Sequence, residues 1–146
     1  MQAAATTLPM DTGGNSGGQA SVTVIRAMSL GEVTFRDFFK VVWKEIRVGL
    51  VCGLSLAAAN FIKIWLVDRT IMHNDDITLI VDLAICLTLV VEIVFAKFIG
   101  CTLPMVAKKV GFDPAVMSSP FITTVVDAVS LLVYFGIATA LIPQLH

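Results

Sequence analysis

The sequence predicts an all-α integral membrane helical bundle, and three observations lead there. Hydrophobic residues make up 57% of the 146 residues and charged ones only 14%. Soluble domains carry about 45–50% apolar and roughly 25% charged residues, so the charge that a water-facing surface needs is missing. Residues 48–67, 77–103 and 120–143 are apolar runs, and each is long enough, at about 1.5 Å per residue, to cross a hydrocarbon core about 30 Å thick. The connections between these runs alternate in charge, as successive loops of a spanning chain must.

The elements follow in chain order. The first 25 residues include Pro9-Met10-Asp11-Thr12-Gly13-Gly14-Asn15-Ser16-Gly17-Gly18-Gln19, too polar and glycine-rich for a lipid-facing helix. Backbone of this kind is tolerated at membrane depth only where protein buries it or it lines a wet cavity; taken alone, it also reads as a flexible linker. Residues 29–45 predict a short cytoplasmic amphipathic helix. Phe35, Phe38, Phe39, Val42 and Trp43 fall at helical spacing, with Arg36, Asp37, Lys40 and Lys44 on other faces. Such a segment lies on the inner membrane surface or packs on the bundle as a plain connection. Gly49 and Gly53 then form a GxxxG pair that permits close helix approach.

Loop charges orient the chain. Residues 26–47 hold Arg26, Arg36, Lys40, Lys44 and Arg47 against Glu32, Asp37 and Glu45, and residues 104–118 hold Lys108 and Lys109 against Asp113. The intervening loop, residues 68–76, has Asp68, Asp75 and Asp76 with only Arg69. Short basic loops stay in the cytoplasm, so the expectation is a multi-pass protein of the cell (inner) membrane with residues 68–76 and the C-terminal His146 outside.

Several function classes fall away. A net charge of -1 gives no field for nucleic acid. No Ser, His and Asp set or zinc-binding pair lies at membrane depth, so an enzyme is not expected. Cys52, Cys86 and Cys101 form no CxxC pair and read as small buried hydrophobes. His73 sits in a solvated loop beside Asn74, Asp75 and Asp76.

Asp127 is the sharpest chemical signal. It lies about seven residues into the third run, roughly 10–12 Å deep, where an ionised carboxylate costs about 2.5–3.5 kcal/mol unless it meets water, a cation or a partner. Thr123, Asp127, Ser130 and Tyr134 recur at i, i+4, i+7 and i+11, a single polar stripe on a helix. One carboxylate per chain suits Mg²⁺, which sheds water reluctantly and is often held through retained waters; a twofold axis would supply a second copy. The second run carries Asp82, Glu92 and Lys97. Asp82 and Lys97 lie towards its ends, within reach of headgroups or water. Glu92 is deeper and reads equally as a pore acid, a partner of Lys97, or a protonated carboxyl in a helix contact. Lys63 reads as a side chain reaching outward or pairing with an acid.

The order of these motifs resembles the membrane domain of MgtE-type magnesium transporters. Pro9 to Gln19, then Ile25-Arg26 and Leu30-Gly31-Glu32, look like the end of that family's second membrane helix and its first cytoplasmic loop. Lys44-Glu45, Val48-Gly49-Leu50, Gly100, Leu103-Pro104, Gly111-Phe112-Asp113-Pro114-Ala115, and Ser119-Pro120-Phe121-Ile122-Thr123-Thr124 with Asp127 follow in family order. The resemblance implies a homodimer with an ion path along its axis and Mg²⁺ as the transported ion, other divalent cations remaining open. It places Asp127 at the acid that holds hydrated Mg²⁺, Asp113 at a cytoplasmic Asp-Pro-Ala turn beside the pore mouth, and Asn15 with Gly14 in the signature of the second helix. Asp127 and Asp113 are then the candidate metal residues, and Thr123, Thr124, Ser130 and Glu92, read from the residues themselves, complete the candidate pore lining. It also implies that residues 1–146 are one pore domain, incomplete at the N-terminus and without the family's regulatory domains. The expected architecture is then three full transmembrane helices, the end of a preceding one and the short amphipathic helix, surrounded by membrane lipid. The chain is then a fragment, the product of a truncated gene, or one part of a split transporter whose N-terminal helices a separate chain supplies. The competing function is a membrane scaffold whose buried acids only mediate helix packing.

Overall fold

The structure, a computed structural model, describes residues 2–66, 79–114 and 119–141. Among them there are four long helices and no strand: α1 (Gln2–Ser29), α2 (Phe38–Lys63), α3 (Leu79–Val110) and α4 (Ser119–Leu141), with a 3₁₀ turn at Phe35–Asp37 ahead of α2. Three helical stretches are long and apolar enough to cross a membrane, Phe35–Leu66, Asp82–Val110 and Pro120–Ile137. These are the three expected spans. The acidic loop with His73, and the C-terminal His146, lie outside the described residues.

Helix α3 is the centre of the bundle. It packs against α1, α2 and α4, while α1 also packs on α4 and α2 stays on the far side. Small residues make this possible. A Cβ added to Gly100 of α3 would fall on the carbonyl of Gly17 in α1, and one on Gly17 would meet Val126 Cγ2 at 2.9 Å and the Ala96 carbonyl at 3.0 Å. On the other face of α3, Gly53 and Gly49 of α2 lie over backbone: their added Cβ atoms would stand 3.0 Å from Val90 Cα and 3.3 Å from Val94 Cα. The GxxxG pair therefore serves as a packing surface, as its spacing predicts.

The glycine-rich start is helix throughout, where its composition allowed a linker. Each glycine in a helix interior costs about 1 kcal/mol relative to alanine, but Gly13, Gly14, Gly17 and Gly18 are buried, and the contact they allow offsets that cost. The amphipathic stretch is likewise not a separate helix. It comprises the 3₁₀ turn and the first turns of α2, continuous with the span. Its apolar positions divide: Phe38, Val41 and Val42 pack on a core of Val24, Met28, Cys101 and Met105, whereas Phe39 and Trp43 are exposed. Of the cysteines, Cys101 is buried and Cys52 exposed, because Cys52 lies on the outer face of α2.

Both helices that end on the basic side close in the same way. Gly31 and Gly111 have φ of +74° and +93°, the left-handed conformation glycine adopts without a Cβ penalty. Glu32 N–H donates to Ala27 O at 3.0 Å and Gly31 N–H to Met28 O at 3.3 Å; Phe112 N–H donates to Ala107 O at 2.9 Å and Gly111 N–H to Lys108 O at 3.2 Å. These paired bonds are Schellman caps. Lys108 Nζ also donates to Met28 O at 3.2 Å, tying the ends of α1 and α3 together and placing a cation at the negative end of α1. Asp37 holds the 3₁₀ turn by accepting the Thr34 N–H at 3.2 Å and its hydroxyl at 2.9 Å.

Gly100 and Gly136 test this packing with opposite signs. Gly100→Val forces α1 away from α3 and should cost at least about 1–3 kcal/mol. Gly136→Ala, where nothing lies within 4 Å of the added Cβ, should stabilise by up to about 1 kcal/mol. Circular dichroism during titration of folding detergent with sodium dodecyl sulfate measures both.

Candidate functional site

Helix α1 lies in the groove between α3 and α4, and its glycines bring two carboxylates close to its backbone. A Cβ on Gly13 would meet Glu92 Oε1 at 2.6 Å and Ser130 Oγ at 3.0 Å; one on Gly14 would meet Asp127 Oδ1 at 2.6 Å and Thr123 Cγ2 at 2.8 Å. Glu92 of α3 and Asp127 of α4 thus face consecutive residues of α1, on directions about 100° apart around it. The polar stripe of α4 turns inward: Thr123, Asp127 and Tyr134 are half-buried and Ser130 buried, while Ala128, Leu131, Leu132 and Phe135 are exposed.

The two acids differ in surroundings. Glu92 is 1% exposed, no cation pairs with it among the described residues, and the Ser130 hydroxyl of α4 is its polar neighbour. Asp127 is half-buried, with its Oδ1 buried against Gly14 of α1, next to the outward face of that helix. That face carries Asn15, Gln19, Thr23 and Arg26 together with Val22, all exposed, with the Thr23 hydroxyl donating to Gln19 O at 2.9 Å. A helix with this outer face does not suit lipid, which satisfies no polar group.

The remaining predicted site residues are dispersed. Asn15 is exposed next to Gly14, on the outer face of α1. Thr124 is exposed, about 60° around α4 from Asp127, with its hydroxyl donating to Pro120 O at 3.0 Å. Asp113 is exposed beyond the end of α3. From Ser119 to Asp127 the chain climbs about 12 Å of helix, which separates Asp113 from the Glu92–Asp127 pair. Among the described residues no three His, Cys, Asp or Glu side chains gather as a ready-made metal cage.

A second buried charge site lies between α2 and α3. Lys97 Nζ stands 3.5 Å from Glu45 Oε2, with both side chains no more than 10% exposed. Gly49 makes room for the lysine stem, since its added Cβ would be 3.3 Å from Lys97 Cγ. Lys97 therefore pairs with Glu45 and does not reach for headgroups, and Glu92, 140° away around α3 by a turn of about 100° per residue, is not its partner. Asp82 is also buried, at 5% exposure, with Cys86 Sγ 3.7 Å from its Oδ1. A groove of about 270 Å³ between the end of α1, the 3₁₀ turn and α2 is lined by Thr23, Asp37, Lys40, Lys44 and Glu45 among others. It opens on the Glu45 end of the pair, not on Glu92 and Asp127. Sequence reading missed Glu45 as a structural charge; its position four residues before Gly49 was the available signal.

An integral membrane helical bundle with carboxylates held at membrane depth is the class that fold and site define. The model of the MgtE family, described as a divalent cation transporter, matches residues 6–137. The chain belongs to this family, a family of transporters and not of enzymes. It is 34% identical over 133 residues to the magnesium transporter MgtE of Thermus thermophilus, covering 91% of this chain and 28% of that protein. It is also 34% identical over 144 residues to the magnesium transporter MgtE of Bacillus subtilis, covering 94% of this chain and 29% of that protein. The magnesium transporter MgtE of Enterococcus faecalis matches at 34% over 128 residues, 88% of this chain and 26% of that one. The chain thus spans between about a quarter and a third of the length of these curated relatives.

The buried pair gives a direct test. Breaking it from either side, by Glu45→Ala or Lys97→Ala, leaves an uncompensated buried charge and should cost about 3–5 kcal/mol. Replacing both by methionine should cost much less than the sum of the two. Detergent-titration unfolding of the four proteins measures the coupling.

Proposed function

We propose that this chain forms the ion pathway of a magnesium transporter, with Mg²⁺ as its transported substrate. The observation that carries the reading is the placement of Asp127 at the edge of a polar face of α1 that has no counterpart in lipid. Asn15 and Gln19 lie on that face, and Gly14, beside Asn15, lets the Asp127 carboxylate come against the backbone. A second copy related by a twofold axis would cover the polar face and bring two Asp127 carboxylates to one pathway. Two carboxylates balance the charge of Mg²⁺ and, acting through retained waters, suit its reluctance to dehydrate. In this reading Asp127 holds the hydrated ion, Thr123 and Ser130 extend the polar lining along α4, and Glu92 adds negative potential from behind α1. Asp113 and Thr124 lie nearer the basic end, where an ion enters or leaves. The basic ends of α1 and α3 face the cytoplasm under the positive-inside rule, and the C-terminus faces outside.

The test is flux. The chain is fused to the part of the Thermus relative that it does not match, and Mg²⁺ entry into liposomes is followed with an internal indicator. Asp127→Ala should reduce entry at least about a hundredfold, the scale of losing about 3 kcal/mol of ion stabilisation, and Asp127→Glu should retain part of it. Unchanged flux in Asp127→Ala would overturn the assignment and leave the acids a packing role.

A further inference from the structure

We propose that the outer face of α2 on its basic side is a binding site for an anionic phospholipid, built from Lys44 and Arg47 with Lys40 beside them and Trp43 and Phe39 as the apolar floor. The proposal rests on the membrane-spanning fold and not on the ion pathway.

Helix length fixes the depth of these residues. Lys44 and Lys63 are nineteen residues apart in α2, about 29 Å along the axis, which matches the hydrocarbon thickness of about 30 Å. Lys44 therefore stands at one membrane surface and Lys63 at the other. Trp43 and Trp65 are 64% and 58% exposed, at the two levels where tryptophan rings settle.

Around the helix, Phe39, Trp43, Arg47, Leu50 and Leu54 form one exposed stripe, at the spacing of i, i+4, i+8, i+11 and i+15. Leu50 and Leu54 continue it into the hydrocarbon. Arg47 interrupts it one turn below Trp43, where a lipid-facing guanidinium must rise towards the headgroups. Lys40 and Lys44 occupy the neighbouring exposed strip. Lys40 has a local partner, Asp37 Oδ1 at 3.4 Å. Lys44 and Arg47 have no ion pair among the described residues; Lys40 and Lys44 also border the groove towards α1 that holds Glu32, Asp37 and Glu45, whereas Arg47 does not.

Two cations without an ion pair, Arg47 the one clear of the acidic groove, thus meet an apolar, tryptophan-bearing face at the depth of the phosphates. A zwitterionic lipid would meet the cations with a phosphate but bring its own positive group. A lipid with net negative charge satisfies them without that competition. Because α2 packs mainly on α3, this face lies away from the α1–α4 groove that holds Asp127.

The experiment uses the whole chain with Trp65→Phe, which leaves Trp43 as the single tryptophan of the two in the sequence. It is reconstituted in phosphatidylcholine vesicles containing a small fraction of lipid brominated on its acyl chains. Brominated phosphatidylglycerol should quench Trp43 at a several-fold lower mole fraction than brominated phosphatidylcholine. The preference should fall roughly fivefold for each of Lys44 and Arg47 changed to Gln. Lys108→Gln with Lys109→Gln, on α3, should leave it in place. If the α2 variants fail to fold, about 0.5 M salt on the unmutated face serves instead and should weaken the preference. Equal quenching by both lipids, or a preference that survives both the substitutions and salt, would overturn the proposal. Trp43 that neither lipid quenches would show a protein surface covering this face and overturn it as well. Loss of the preference on adding millimolar inorganic phosphate at constant ionic strength would reassign the site to a phosphate ion.

Discussion

Everything in this bundle depends on α1 lying against α3 and α4 with almost no side chain between them. An α1 rich in Gly, Ser, Asn and Gln has little to gain from lipid and much to lose, since unpaired polar groups in hydrocarbon cost several kcal/mol each. Contact between backbones changes the balance. Where Gly17 meets Gly100, dispersion and close packing replace the missing apolar side chains. The same contact brings Glu92 and Asp127 within reach of the α1 backbone at Gly13 and Gly14. A bulkier α1 would hold α3 and α4 apart and take the carboxylates with them. Packing and site therefore share one cause.

Much of this was legible beforehand, for a physical reason. Span lengths and loop charges report transfer between water and hydrocarbon, which depends on composition over some twenty residues and hardly on tertiary detail. The three spans and the depth of Asp127 follow from that alone. The helical state of the first segment was harder to read, because local propensity opposes it and only contacts with α3 and α4 reward it. The division of the aromatic residues between core and surface was hidden for a similar reason: Phe38 and Phe39 are neighbours in sequence, and only the register of α2 on α3 decides which of them turns inward. The Glu45–Lys97 pair needs that register too. From sequence, Lys97 had an acid five residues away at Glu92, and nothing in α3 itself points across to α2.

Two kinds of membrane-depth charge coexist in α3, and their difference is informative. Lys97 is neutralised by Glu45 at 3.5 Å, next to a groove open to the basic side, so its charge is spent locally on joining two helices. Glu92, slightly more than one turn earlier, has no such cation among the described residues and turns its oxygens towards α1. A paired charge contributes little field at a distance, whereas an uncompensated acid, if ionised, acts across several ångströms of low-dielectric interior. Helix α3 thus presents a paired charge to α2 and a buried carboxyl without a cation to α1.

That separation bears on how the proposed pathway would avoid trapping its ion. Direct ligation of Mg²⁺ by several carboxylates would hold it too firmly for passage, because conduction needs binding weak enough to release. Glu92 and Asp127 lie close enough to interact electrostatically but meet different residues of α1. Asp127 stands beside the open polar face of α1, while Glu92 is enclosed behind Gly13 with no room for an ion between its carboxylate and the backbone. In the proposed pathway only the Asp127 carboxylate of each chain is then available to contact the ion. Gly13 sets this arrangement as much as either acid does: a side chain there would displace Glu92 and Ser130 from their places against α1.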